Sequence, residues 1–264
     1  MLRSLAGYDG YRIGATDTEL GNVRDFYFDD RDWVVRYLIV DTKTWLPGRK
    51  VLVSPTAAGR SDAHAGILHV RLSAKQVENS PAIDADKPVS REMESRLAEH
   101  FGWSRYWRRS VPVGQAADLE RSLADDNSDG AGVHLRSADE VTGYLLEADD
   151  GPVGRIEDLI IEDQNWGVRY LAVLAPQTSL AGRKVLIPRE RVTEVSWAES
   201  KVHVDVPREA VKNIPEYDPS APVNREYEMQ LYDYHGRPKR RCDWCVCEVG
   251  RMPVTLEFGV EAHR

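Results

Sequence analysis

The chain has 264 residues, 42% of them hydrophobic and 30% charged, which suits about two folded domains and excludes a wholly disordered or fibrous protein. Its formal charge of −8 opposes non-specific binding to nucleic-acid phosphate and to anionic lipid. No apolar run approaches the ~18–20 residues that span a bilayer, and the opening Met1-Leu-Arg-Ser-Leu-Ala-Gly-Tyr-Asp meets charge too early for a signal peptide, so a cytoplasmic location is expected.

In chain order, strands are predicted at residues 22–29, 34–40, 50–54 and 67–72, separated by Gly, Pro and Asp punctuation. Val34-Val-Arg-Tyr-Leu-Ile-Val40 is apolar on both alternating faces apart from Arg36, which predicts a strand buried on both sides. A helix is predicted after Pro88, capped by Ser90, with Met93, Leu97 and His100 or Phe101 on one face.

The chain then repeats itself. At an offset of 133 residues, as from Gly21 to Gly154, Asp25 falls on Asp158, Trp33-Val-Val-Arg-Tyr-Leu on Trp166-Gly-Val-Arg-Tyr-Leu, and Leu2-Arg-Ser on Leu135-Arg-Ser. One residue of slip later, Gly48-Arg-Lys-Val-Leu-Val falls on Gly182-Arg-Lys-Val-Leu-Ile and Pro88-Val-Ser-Arg-Glu on Pro222-Val-Asn-Arg-Glu, with Asn224 taking the capping place of Ser90. We expect two units, 1–107 and 133–241, a linker at 108–132 rich in Asp, Ser and Gly, and a divergent tail at 242–264.

Gly21 to Pro55 carries Gly-x-Val-x-Asp, Trp-Val-Val-Arg-Tyr-Leu-Ile-Val-Asp and Trp-Leu-Pro-Gly-Arg-Lys-Val-Leu-Val-Ser-Pro in succession, and Gly154 to Pro188 carries a weaker copy. This run resembles the PRC-barrel family, typified by the cytoplasmic domain of the photosynthetic reaction-centre H subunit. The resemblance implies an all-β fold of two tandem barrels of about six strands, each followed by a short α-helix. It also implies docking onto other macromolecules, and it brings no catalytic residues and no cofactor.

What both copies keep is expected to serve the fold: Gly21, Asp25 and Arg36, with Gly154, Asp158 and Arg169. Asp25 and Asp158 are expected to pair with Arg36 and Arg169 in the barrel wall. Asp29, Asp30 and Asp32 read as turn residues, and Arg49-Lys50 and Arg183-Lys184 as charges guarding a strand edge. What one copy alone has is expected to serve function. The segment Gly102-Trp-Ser-Arg-Tyr-Trp-Arg-Arg109 supplies Trp103, Tyr106 and Trp107, residue types that anchor interfaces, and with Trp45 and Arg36 they form the expected partner-binding set. The alternative for these aromatics is that they merely cover the first unit. Cys242, Cys245 and Cys247 are a metal candidate one ligand short of a structural zinc site.

With no nucleophile elbow, Walker loop or zinc-protease motif in the chain, we expect a non-enzymatic adaptor that docks onto a protein partner. Two alternatives stay open: an accessory component of a photosynthetic or electron-transfer membrane complex, docking from the cytoplasm without a span of its own, and a metal- or small-ligand-binding stress protein. No nucleic-acid partner is expected, and a homodimer remains open.

Overall fold

The computed structural model describes residues 1–42, 46, 49–83, 88–107, 134–175 and 182–235. Trp45, the 108–132 linker and the three cysteines lie outside them.

The fold is strand-rich, with small helices at the ends of each unit. The first unit runs through β1 (Leu2–Ser4), β2 (Arg12–Gly14), β3 (Glu19–Asp29), β4 (Val34–Asp41), β5 (Lys50–Val53), β6 (Ala58–Asp62) and β7 (Ile67–Val70) to the helices α1 (Ala74–Glu78) and α2 (Arg91–Phe101). The second repeats this order as β8 (Leu135–Ser137), α3 (Ala138–Val141), β9 (Leu145–Ala148), β10 (Gly151–Glu162), β11 (Gly167–Ala175), β12 (Arg183–Pro188), β13 (Val192–Ser196), β14 (Lys201–Val204), α4 (Arg208–Val211) and α5 (Arg225–His235). Within the first unit the hydrogen-bonded order is β6-β7-β2-β3-β4-β5, and in the second β13-β14-β9-β10-β11-β12. The end strands β5 and β6 are joined by the 3-10 turn Pro55–Ala57, where proline has no N–H to give to a ladder.

The four predicted strands correspond to β3, β4, β5 and β7. Strand β4 is covered on both faces: Val35, Leu38 and Val40 enter the main core, while Tyr37 and Ile39 meet Leu52, Val89 and Leu97 under α2. The expected caps are in place, since the Ser90 hydroxyl accepts from the Met93 N–H and the Asn224 side chain from the Tyr227 N–H. Strands β1 and β2, of three residues each, escaped the sequence reading because they are too short to show a period, and β6 and helix α1, of five residues each, escaped it as well.

The first strand of each unit lies on the sheet of the other. β1 pairs with β10 of the second unit, Leu2 opposite Glu162, and β8 pairs with β3 of the first, Leu135 opposite Asp29. The central strands meet between these exchanged strands, with Gly167 opposite Val34. Val35 N–H donates to the Trp166 carbonyl (2.9 Å) and Val168 N–H to the Trp33 carbonyl (2.7 Å). The contacts are reciprocal, as a twofold relation between two copies requires. Trp33 and Trp166 end their hairpin turns in the left-handed region (φ 56° and 58°). Both are buried, and Trp166 reaches across to Tyr8 (5.8 Å between centroids) and Phe26 (6.5 Å). One apolar core therefore runs through both units.

Asp25 and Asp158 fasten the exchange. Asp25 accepts from the Ser137 hydroxyl (2.6 Å) and the Asp139 N–H (3.1 Å), and Asp158 from the Ser4 hydroxyl and the Ala6 N–H (3.0 Å). Each follows a break in ladder register, between Val23 and Asp25 in β3 and between Ile156 and Asp158 in β10. The extra residue of a bulge turns the carboxylate out of the ladder and toward the incoming strand. The expected pairs with arginine are thereby corrected. Arg36 bonds Asp32 instead (2.9 Å), and Arg169 lies near Glu228, because the bulge commits both aspartates to serine and backbone donors. Burial raises both aspartates above their usual range, against the lowering effect of these hydrogen bonds.

The other shared residues have local reasons. Gly21 has φ 144°, and an added Cβ would fall onto the Asp41 carbonyl; at Gly154 it would fall onto that of Leu174. Asp29 closes the expected turn by accepting from Arg31 N–H (3.0 Å) and Asp32 N–H (3.1 Å). Arg49 and Arg183 are not edge guards. They tie down the chain after the short helices, Arg49 at the Glu78 and Ser80 carbonyls and Arg183 at those of Lys212 and Ile214.

Two outcomes are expected. With a protease site placed within 108–132, the two cut halves should co-elute as one species in size-exclusion chromatography, because each holds a strand of the other. Asp25→Ala should cost about 1–3 kcal/mol in chemical denaturation by stranding the Ser137 and Asp139 donors, and adding Ser137→Ala should cost less than the sum of the two.

Candidate functional site

A cleft of about 570 Å³ opens where the first unit meets the turn 163–166 of the second. It gathers Arg36, Trp103, Tyr106 and Trp107, four of the five residues expected to bind a partner. The structure adds Arg3 and Arg71, which the sequence reading had passed over.

Arg36 projects from β4, the one charged interruption in that strand's apolar run. Its guanidinium lies 3.9 Å from the Tyr106 ring centroid, within the range of a cation–π contact. Its side chain is 17% exposed and its Nε is buried without a hydrogen-bond partner, while its ion-pair partner Asp32 is 66% exposed. Arg3 enters on the exchanged strand β1 and stands 3.5 Å from Asp163. Arg71 follows β7 and donates to the Thr56 carbonyl (2.8 Å).

The aromatic wall is built by the chain leaving α2. Gly102, left-handed at φ 70°, ends the helix, and Trp103 folds back to stack on Phe101 (4.3 Å, 16°) near Tyr37. Tyr106 and Trp107 follow edge to face (4.9 Å, 89°). The three aromatics therefore do cover the first unit, and their half-buried remainder faces the cleft.

Beneath this wall lies a buried polar cluster that the sequence reading missed. Glu94, 1% exposed, accepts from Arg91 (2.9 Å), the Tyr106 hydroxyl (2.7 Å) and the Tyr37 hydroxyl (3.3 Å). Arg91 also approaches Asp29 (3.8 Å) and lies 4.9 Å from the Trp107 ring centroid. Burial raises Glu94, against the opposing pull of Tyr106, Arg91 and Tyr37, and burial also raises both tyrosines. The repeat carried a signal for this cluster. Glu94 and Arg91 recur as Glu228 and Arg225, and Tyr37 as Tyr170, which bonds Glu228. Glu94 also shares a helix face with Leu97 and Ala98, so a retained carboxylate on an apolar stripe was the cue.

The second unit carries different side chains at the corresponding positions. Its residues aligned with Trp103, Tyr106 and Trp107 are Arg237, Arg240 and Arg241, and those aligned with Arg71 and Thr56 are Asp205 and Glu190.

Residues 13–77 match the family model of the PRC-barrel domain, a span from β2 to α1 that includes Arg36, Thr56 and Arg71 of the cleft. No curated protein matches the chain. No helix among the described residues is long and apolar enough to cross a membrane.

Because burial holds Glu94 above its ordinary range, its contribution to stability is fully present below that range and is lost as pH rises through its folded value. Glu94→Gln cannot lose that contribution. Upward from about pH 4, where an ordinary glutamate ionises, the stability of the parent protein relative to this variant should fall, as read by denaturant unfolding at several pH values.

Proposed function

We propose that the protein is a non-enzymatic binding module that docks onto a protein partner through the cleft lined in part by its PRC-barrel domain at residues 13–77. The observation that carries this reading is convergence. Trp103, Tyr106, Trp107 and Arg36 line one cleft, and the three aromatics have no aromatic counterpart in the second unit. Tryptophan, tyrosine and arginine are the side chains over-represented among interface hot spots, where an apolar face and a polar tip act together.

The carboxylates support the non-catalytic side of the reading. Asp25 and Asp158 spend their oxygens on the strand exchange, and Glu94 spends its own on Arg91 and two tyrosines. A general acid or base needs a reacting group within hydrogen-bond reach, and these three reach scaffold groups.

Crosslinking in cells followed by mass spectrometry tests the proposal. The parent protein should yield a reproducible partner with crosslinks near residues 103–107. Trp107→Ala, at a half-buried position that ends the described segment, should lose that partner, with folding checked by its melting temperature. Recovery of the same partner by the variant, or of none by the parent, would remove the cleft from the function.

A further inference from the structure

We infer that the occupant of the cleft is an acidic, extended segment of a partner protein, with an aromatic or aliphatic side chain between carboxylates. This rests on the reading of the cleft as a protein-docking site and names the chemistry it selects.

The first argument is charge. The chain carries −8 overall, yet the charged side chains lining the cleft are Arg3, Arg36 and Arg71 against the single carboxylate of Asp163. A cationic recess in an acidic protein concentrates the field where an acidic partner would enter, and repels it elsewhere. Two of the arginines are also poised for exchange. Arg36 keeps a buried Nε without a partner, and its present carboxylate, Asp32, is mostly in solvent, so an incoming carboxylate can take that place. Arg71 is exposed and gives one guanidinium nitrogen to the Thr56 carbonyl. Arginine's planar fork matches a carboxylate at two points, which makes such an exchange favourable.

The second argument is shape and surface. A recess of about 570 Å³ lies within the ~300–1,000 Å³ usual for ligand clefts. Trp103, Trp107 and Trp166 give it apolar area for one buried side chain, while Thr56 and Asn165 add polar groups to its lining, bonded at present to Ser54 and to Glu162 and Gly167. A nucleic-acid strand would share the stacking and the arginines. It is disfavoured because it carries a charge at every nucleotide, and the Asp163 carboxylate in the opposite wall opposes such a continuous polyanion more than a peptide with a few spaced carboxylates.

Fluorescence polarisation with labelled synthetic peptides provides the test, on the full-length chain. A five-residue peptide alternating glutamate and phenylalanine should bind saturably and weaken as salt rises. Its lysine counterpart should bind at least about tenfold more weakly, and Arg71→Ala or Trp107→Ala should each weaken the acidic peptide by about tenfold, the loss expected of an interface anchor. Arg71 is exposed and Trp107 half-buried, and a thermal melt matching the parent confirms folding. Equal binding of the lysine peptide, no binding of the acidic one, or binding indifferent to both substitutions would overturn the inference. Displacement of the acidic peptide by a single-stranded oligo-thymidylate of higher affinity would overturn it in favour of nucleic acid. If the acidic peptide fails while crosslinks in cells still depend on Trp107, the acidic chemistry falls and the docking cleft stands.

Discussion

The exchange of first strands, fastened by Asp25 on Ser137 and by Asp158 on Ser4, is the constraint on which the rest of the structure depends. Each aspartate is brought to its partner by a bulge, and each costs something to bury, as its raised pKa records. The cost is offset because every contact is made twice, once in each direction, and because it merges two small cores into one. Small domains bury a lower fraction of their surface than large ones, so a shared core is a physical gain for two units of this size.

The cleft follows from that exchange. Arg3 stands at its edge only because β1 has crossed to the second sheet, and Asp163 and Trp166 form its far side only because the central strands meet at Val34 and Gly167. On the near side, the buried Glu94 and Arg91 support Tyr106 and Trp107 from behind. The same helix thus serves twice. Its carboxylate–arginine pair recurs in both units and belongs to the scaffold, while the aromatic extension after Gly102 occurs in one unit and turns the scaffold into a recess.

Retention in both copies separates these roles, although it does not identify partners. Asp25 and Arg36 are both retained, and the natural pairing of opposite charges in one strand neighbourhood proves wrong. Asp25 serves the interface between units and Arg36 serves the cleft. Arg36 also shows that a residue retained in both copies can line a cleft formed in one. The arginine recurs as Arg169, and what differs is the ring laid over it, Tyr106 in the first unit.

The sequence alone determined the repeat, the strand-rich class, the long strands, the helix caps and the aromatic segment that sets the first unit apart. Those features are legible because they rest on local periodicity, on capping chemistry and on comparing one half of the chain with the other. The tertiary structure decided which strand lies on which sheet, since three-residue strands carry no period and a swap between like copies leaves every local preference satisfied. It also decided the partners of Asp25 and Asp158, and the gathering of Arg3, Arg36 and Arg71 around three aromatic rings. Side chains far apart in the chain become neighbours only when the two units fold together, and no spacing in a linear sequence encodes that distance.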